Sequence, residues 1–161
     1  MLLKIKSFFS KPNLISFLII VLIFLLDRYS KFQVLNFFND TSFYVNDFLN
    51  LSLVWNTGIG FGLFSFEKSV YYNSTTLLIG LIILILLYFV IKSERTEKII
   101  FSIIIGGALG NFYDRLIFKA VPDFIDFHYG SFHWFTFNLA DVFITLGIII
   151  YILKDYFQTN K

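Results

Sequence analysis

The residues from Leu77 to Ile91 form an unbroken apolar run, LLIGLIILILLYFVI, that contains no charged side chain. A helix needs about 20 mostly apolar residues to cross roughly 30 Å of hydrocarbon, and this run with its neighbours approaches that length. Three other parts of the chain contain comparable apolar stretches. The sequence therefore predicts four membrane-spanning helices, at about residues 14–30, 74–91, 99–118 and 137–154.

The composition agrees with a membrane protein and excludes several other classes. Charged residues make up 15% of the 161 residues, against about 25% in typical soluble domains. A soluble domain of this length buries only about 70% of its unfolded surface, which is too little to hide so many apolar side chains. The net charge of +2 does not indicate nucleic-acid binding. The absence of cysteine excludes disulfides, thiolate metal ligands and a cysteine nucleophile.

The basic residues predict which side of the membrane each connection faces. Eight of the 13 lysines and arginines lie before the first apolar stretch, in the connection around residues 92–98 and in the C-terminal tail. Because basic residues favour the cytoplasmic side, both termini are predicted to be cytoplasmic. The external segments are then about residues 31–73 and 119–136, within a single domain that spans residues 1–161.

The first external segment is too long to be a simple connection between two helices. Residues 42–55, SFYVNDFLNLSLVW, are rich in β-branched and aromatic side chains, and the glycine-rich NTGIGFG follows them. The predicted fold is therefore an α-helical membrane protein. It has four transmembrane helices and a small external antiparallel β-sheet between helices one and two. The second external segment is predicted to be a loop.

Carboxylates gather at one predicted interface. Asp27, Asp114 and Asp141 lie at the external ends of three predicted helices, while Asp123 and Asp126 lie in the second external segment. Ionisable residues in or near membrane spans are costly and are functional candidates by default. Two close carboxylates can share one proton, so one can activate water while the other protonates a leaving group. The pattern indicates hydrolysis of a bond presented at the external interface.

The residues alone leave the catalytic pair open. Asp123 and Asp126 are equally good partners for Asp141, and Asp114 with Asp141 is a second candidate pair. Taken alone, Asp141 is also explained as a first-turn charge of the fourth helix.

Polar residues on the third helix, and before the fourth, allow two interpretations each. Asn111, Asp114 and Arg115 share one face of the third helix. In one interpretation they orient the catalytic acids and the substrate. In the other, Asp114 and Arg115 form an ion pair that only satisfies their own charges. We expect Arg115 to be mainly structural. Asn138 is expected either to contact substrate or to cap the fourth helix, with equal support for the two roles.

Other polar residues near the interface have simpler expectations. Asp27 and Lys31 are expected to form an ion pair, and Asn56 to contact substrate from its glycine-rich turn. His128 and His133, which lie among aromatic residues, are expected to anchor the protein at the interface rather than to bind a metal.

Five short motifs, in order along the chain, resemble those of lipoprotein signal peptidases (signal peptidase II), a family of bacterial membrane aspartic peptidases. They are LDRYSK (26–31), NTGIGF (56–61), GNFYDR (110–115), VPDF (121–124) and FNLAD (137–141). Two positions depart from the family pattern: Gly60 stands where alanine or serine is more usual, and Pro122 where valine or another apolar residue is more usual. Proline favours an ordered segment beside Asp123.

The resemblance implies an aspartic endopeptidase that cleaves pre-lipoproteins before a diacylglyceryl-modified cysteine, at the external face of the bacterial cytoplasmic (inner) membrane. It implies Asp123 and Asp141 as catalytic residues, without a metal or organic cofactor. The expected partners are the lipidated substrate and membrane lipids, with no nucleic acid, and the protein is expected to be a monomer. The residues expected to bind substrate or support the catalytic pair are Asn56, Asn111, Asp114, Arg115, Asn138, Asp27 and Lys31.

Two alternatives have different consequences. A small proton-coupled transporter would account for membrane carboxylates, but the one-sided cluster and the lack of an internal repeat count against it. A non-catalytic assembly subunit predicts that Asp→Asn changes at Asp123 and Asp141 alter complex formation rather than turnover.

Overall fold

The computed structural model describes residues 10–37, 42–58 and 69–159, with side chains from residue 72 onward in the last range. These residues form four helices and four strands. The helices are α1 (Lys11–Phe37), α2 (Ser69–Lys92), α3 (Arg95–Phe118) and α4 (Leu139–Thr159). The strands are β1 (Phe43–Asn46), β2 (Leu49–Asn56), β3 (Val121–Tyr129) and β4 (Phe132–Phe137).

Three of the described helices are long and apolar enough to cross a membrane, namely α1, residues Tyr72–Lys92 of α2, and α3. The helix ends differ from the predicted ones by a few residues, except that α1 continues to Phe37. The segment predicted to be external, about residues 31–73, therefore begins with seven helical residues, 31–37. A fourth span, formed by α4, stays a prediction.

Helix α3 lies at the centre of the bundle and packs against α1, α2 and α4. Glycines allow this close packing. An added Cβ on Gly106 would lie 2.7 Å from Cβ of Ile23 in α1, and one on Gly107 would lie 2.5 Å from the carbonyl oxygen of Ala140 in α4. Small residues let helix backbones approach closely where a hydrophobic driving force between helices is absent.

The outer faces of the bundle are apolar and exposed. Leu18 in α1, Leu84 in α2 and Ile152 in α4 each expose more than half of their surface. Soluble monomers rarely expose large continuous apolar surfaces, whereas lipid solvates them well. The prediction of an integral membrane protein with apolar helices is therefore confirmed.

The strands form one antiparallel sheet in the order β1-β2-β3-β4. The prediction that placed the sheet wholly between helices one and two is wrong, because β3 and β4 belong to the segment predicted to be a loop. Pro122, Asp123 and Asp126 interrupt the apolar pattern of β3, yet pairing with β2 overrides local propensity. Phe137, predicted to begin the fourth helix, ends β4 instead.

Short connections tie the sheet to the helices. Only Lys119, in the left-handed conformation (φ 57°), and Ala120 separate α3 from β3. A left-handed residue commonly ends a helix and turns the chain. Asn138 alone separates β4 from α4. The start of β3 and the start of α4 are therefore held at the same end of the bundle.

Candidate active site

Asp123 lies near the start of β3, opposite Val54 of β2, and is 2% exposed. Two amide groups donate to its carboxylate: Nδ2 of Asn56 to Oδ2 at 2.8 Å, and Nδ2 of Asn138 to Oδ1 at 2.6 Å. Each carboxylate oxygen therefore has one neutral donor, which fixes the orientation of the side chain without supplying a positive charge.

Asp141 lies in the first turn of α4 and forms a reciprocal cap with Asn138. The backbone N–H of Asn138 donates to Oδ2 of Asp141, and the backbone N–H of Asp141 donates to Oδ1 of Asn138, both at 3.2 Å. This is the geometry of a capping box, which satisfies free donors at a helix start. Nδ2 of Asn111 donates to Oδ1 of Asp141 at 2.8 Å.

Asn138 joins the two carboxylates. Its side chain caps α4 and at the same time donates to Asp123, so the predicted capping role holds and a contact with Asp123 is added. Because one residue contacts both acids, a displacement of either would disturb the other. We call Asp123 and Asp141 the carboxylate pair.

Burial raises the pKa of Asp123 to about 7, and the nearby charge of Asp141 acts in the same direction. The amide donors Asn56 and Asn138 act against this shift but do not cancel it. Low-dielectric surroundings and a neighbouring carboxylate both disfavour ionisation of a carboxyl group. Near neutral pH the pair can therefore hold one proton.

Behind the pair lies a buried ionic cluster, formed by Asp27, Arg28, Lys31 and Asp114. Arg28 binds Asp114 with both Nη atoms, at 2.5 and 2.7 Å, and Nη2 also donates to Asp27 at 2.8 Å. Lys31 Nζ donates to Asp27 at 2.9 Å and to Asp114 at 2.7 Å. The cluster balances two positive and two negative charges, as buried ions require. The predicted Asp27–Lys31 ion pair is present.

The cluster connects to the carboxylate pair at two points. Lys31 Nζ donates to Oδ1 of Asn111 at 2.7 Å, which leaves the amide nitrogen of Asn111 to donate to Asp141. Oδ1 of Asp27 accepts from the backbone N–H of Ala140 at 3.1 Å. A Cβ on Gly110 would collide with the Asp27 carboxylate, so glycine is needed at this position. The cluster thus fixes the first turn of α4.

Arg28 is a site residue that the sequence analysis did not identify. Asp27 was identified because a charged side chain is costly to insert into a membrane, and the same cost applies to its neighbour Arg28. That signal could have identified Arg28 as a member of the cluster.

Arg115 serves the other side of the site. One Nη atom donates to the carbonyl oxygen of Gly58, its own carbonyl accepts from Tyr72 at 3.1 Å, and its guanidinium lies over the Tyr72 ring. Oδ1 of Asn56 accepts from the backbone N–H of Gly58 at 2.8 Å. These contacts agree with the expected structural role of Arg115. Residues 59–61, which complete the second motif, lie outside the described residues.

A cavity of about 450 Å³ opens beside the carboxylate pair. At one end it is lined by Asn56, Asn111, Arg115, Asp123, Asn138 and Asp141. The remaining wall comes from apolar side chains of α2, α3 and α4, including Ile83, Ala108 and Ile148. Concave apolar sites with a few convergent polar groups are typical of ligand and substrate sites.

Asp126 and Asp114 lie elsewhere. Asp126 lies three positions after Asp123 on β3, so the alternation of side chains along a strand places it on the opposite sheet face, and its carboxylate contacts His133. Both oxygens of Asp114 are bound by the cations of the ionic cluster. The geometry thus joins Asp123, rather than either alternative, with Asp141.

Comparison with known proteins gives the family. The family model described as "Signal peptidase (SPase) II" matches residues 19–157. The chain belongs to the signal peptidase II family. It is 46% identical to a lipoprotein signal peptidase from Pelagibacter ubique (strain HTCC1062), over 99% of this chain and 95% of the relative. It is 40% identical to the one from Francisella tularensis subsp. mediasiatica (strain FSC147), over 94% and 97%.

Solved structures agree with this assignment. One described as "Bacterial membrane enzyme structure by the in meso method at 2.3 A resolution" superposes with a TM-score of 0.71 and 33% identity, over 88% of each chain. A second, at 1.9 Å, gives the same TM-score at 30% identity. The predicted membership of the signal peptidase II family is confirmed, and with it a membrane protease of the aspartic type that removes signal peptides from pre-lipoproteins. The transporter and assembly-subunit alternatives are not supported.

Proposed function

We propose that this signal peptidase II cleaves pre-lipoproteins immediately before the diacylglyceryl-modified cysteine, with Asp123 and Asp141 as the catalytic residues. The observation that carries the assignment is that both carboxylates line the polar end of one cavity. Asp123 lies on β3 and Asp141 on α4, and two different short connections hold the starts of these two elements at the same end of the bundle. The residues proposed to bind substrate or to support the catalytic pair are Asn56, Asn111, Asp114, Arg115, Asn138, Asp27 and Lys31.

The mechanism follows from one proton shared by the pair. The ionised carboxylate accepts a proton from water as the water oxygen attacks the scissile carbonyl carbon. The protonated carboxyl group donates a hydrogen bond to the carbonyl oxygen and then protonates the leaving amine as the C–N bond breaks. The products are a signal peptide with a free carboxylate and a lipidated cysteine with a free amine.

Arg115 supplies a further donor at the site. Among the described residues its Nη1 atom is buried without a hydrogen-bond partner, while the residue lines the cavity. A buried unpaired donor is costly unless a ligand satisfies it. Arg115 is therefore proposed to bind a substrate carbonyl in addition to its structural contacts.

The pH dependence of cleavage tests the shared proton. Since the pKa of Asp123 is about 7, the pair loses its remaining proton above that pH. We expect kcat/KM to decrease on the alkaline side of about pH 7, approaching about tenfold per pH unit. The measurement is a pH–rate profile in detergent, with circular dichroism at each pH as the control for folding. A profile that stays flat about two units above this pKa would count against the shared proton.

The apolar part of the cavity is proposed to hold the hydrophobic part of the substrate, including its acyl chains. Its lining continues from the polar end along Ile79, Ile82, Ile83 and Leu86 of α2. Anchored acyl chains would hold the cysteine at the height of the carboxylate pair, and such positioning is itself catalytic.

Filling this cavity should block the substrate. Ala108→Phe places a phenyl group in the cavity wall, and we expect kcat/KM for a lipidated pre-lipoprotein to fall by about 10²-fold or more, because substrate is misplaced. Ile117→Phe adds an aromatic ring on the exposed face of the same helix and is the matched control. Equal kcat/KM for Ala108→Phe and wild type would show that substrate does not occupy this cavity.

The membrane arrangement is proposed from the same features. Helix α4 is proposed as the fourth span, with the sheet on the external face and both termini in the cytoplasm, in the bacterial cytoplasmic (inner) membrane. Exposed aromatic side chains on the sheet, including Trp55 and Trp134, suit the membrane–water interface. The functional unit is proposed to be a monomer in contact with lipid, made of one domain over residues 1–161.

A further inference from the structure

Away from the carboxylate pair, the hairpin of β3 and β4 carries a cluster of Asp126, His128 and His133. Nδ1 of His133 lies 2.8 Å from Oδ2 of Asp126, and Nδ1 of His128 lies 3.8 Å from the same oxygen. One potential ligand atom from each residue lies within 4.8 Å of the others. The two imidazole rings are stacked, with centroids 5.2 Å apart.

A β-bulge brings these three side chains onto one sheet face. Asp126 and His128 are two residues apart on β3 and point the same way. The pairing register shifts between Phe127 and His128, so Trp134 is an extra residue on β4 and His133 lies opposite His128. In the register that pairs Asp126 with Thr136, His133 would point to the other face. Bulges commonly re-aim a side chain in this way.

Unpaired polar atoms point to a ligand at this cluster. Among the described residues, Nδ1 of His128 is buried without a hydrogen-bond partner, and the residue is only 6% exposed. Oδ1 of Asn50 is also buried and unpaired, and Asn50 lies directly opposite Asp126 on β2, so both side chains share a face. Buried polar atoms without partners are rare and need an explanation, such as a bound ion.

We propose that Asp126, His128 and His133 bind a divalent transition-metal ion of the zinc class. Two imidazoles and a carboxylate form a ligand set that suits Zn²⁺. Tetrahedral Zn²⁺ with bonds of about 2.05 Å needs ligand atoms about 3.3 Å apart. The two separations from Asp126, 2.8 and 3.8 Å, lie on either side of this value, the third separation lies within 4.8 Å, and the half-exposed His133 can adjust. Asn50 supplies an oxygen for the fourth position or for a bound water.

The ion would staple β3 to β4 and would not take part in cleavage, because the cluster faces away from Asp123. Binding through Nδ1 of His133 requires the neutral imidazole with its proton on Nε2, so the hydrogen bond between Nδ1 and Asp126 is replaced by bonds from both groups to the ion. A bound ion stabilises the folded protein by an amount that rises with the logarithm of the free-ion concentration once this exceeds the dissociation constant. This inference does not depend on which residues cleave the substrate.

The test is titration of purified, untagged full-length protein in detergent with ZnCl₂, followed by calorimetry. We expect one saturable site per chain and a rise in the melting temperature on zinc addition. His133→Ala and Asp126→Asn should each weaken zinc binding by about tenfold or more, since even the loss of an outer partner of a ligand has an effect of this size. Asp47→Asn, at an exposed aspartate in the turn between β1 and β2, is the matched control and should bind zinc as wild type does.

The variants remain informative if folding is a concern. His133 is largely exposed but contacts the buried carboxylate of Asp126, so the metal-free melting temperature of His133→Ala is measured beside that of wild type. Co²⁺ in place of Zn²⁺ gives visible absorption that reports nitrogen and oxygen ligation, and this absorption should disappear in His133→Ala. The proposal is overturned if wild type shows no saturable zinc binding, or if His133→Ala and Asp126→Asn bind zinc as tightly as wild type.

Discussion

Replacing Asp123 or Asp141 by asparagine is expected to lower kcat by about 10²–10⁴-fold or more, because each substitution removes a proton donor or acceptor of the reaction. Asparagine keeps the shape of the side chain, and its single amide oxygen can accept from one of the two amide groups that now donate to Asp123. The loss should appear in kcat, measured in single-turnover cleavage of a lipidated pre-lipoprotein. Asp47→Asn is the matched control, because Asp47 is exposed in the turn between β1 and β2.

Stability measurements separate loss of chemistry from loss of folding. The pKa of Asp123 is raised from 3.8 to about 7, so its contribution to stability is present below pH about 4 and is lost as pH rises through about 7. Asp123→Asn stays neutral, so its melting temperature should change less between about pH 4 and about pH 8 than that of wild type. Folded Asp123→Asn or Asp141→Asn protein with wild-type kcat would exclude that residue from catalysis.

Asp114→Asn is expected to destabilise the protein by about 3–5 kcal/mol, the usual cost of breaking a buried ion pair by removing one partner. Asp114 accepts from Arg28 and Lys31, and its side chain has no exposed surface. The asparagine variant leaves two buried cations facing Asp27 alone. The measurement is equilibrium unfolding in mixed micelles with increasing SDS.

An exposed pair provides the comparison for this effect. Lys154 of α4 and Glu97 of α3 form an ion pair at 2.7 Å, with both side chains partly exposed. Lys154→Gln should therefore lower the free energy of unfolding far less than Asp114→Asn does. If Asp114→Asn cost no more than Lys154→Gln, the buried cluster could not be what fixes the first turn of α4.

The apolar runs predicted the helices because lipid imposes a length and composition that the sequence must obey. The strands formed by residues 121–137 could not be predicted from the sequence in the same way. Pro122 and the two aspartates of β3 hide the strand pattern, and β3 is stabilised by its pairing with β2, which lies far away in the sequence. Pairing between distant segments cannot be inferred from local propensity.

The site shows the same division. Clustering of acids at one interface followed from helix ends alone, but choosing Asp123 over Asp126 required either the family motifs or the strand. Residues three positions apart on a strand point to opposite faces. Without the family motifs, Asp123 can therefore be preferred to Asp126 only once residues 121–129 are known to form a strand. The bulge at Trp134, which re-aims His133, has no sequence signal of its own.

The central claim is tested most directly by the mass of the cleavage product. Purified protein in detergent, without any pH gradient, is incubated with a verified lipidated pre-lipoprotein, beside Asp123→Asn, Asp141→Asn, Asp114→Asn and Asp126→Asn. We expect wild type to release a signal peptide that ends immediately before the lipidated cysteine, and no product from the first two variants. Product formation by folded Asp123→Asn or Asp141→Asn, or none by wild type, would contradict the account.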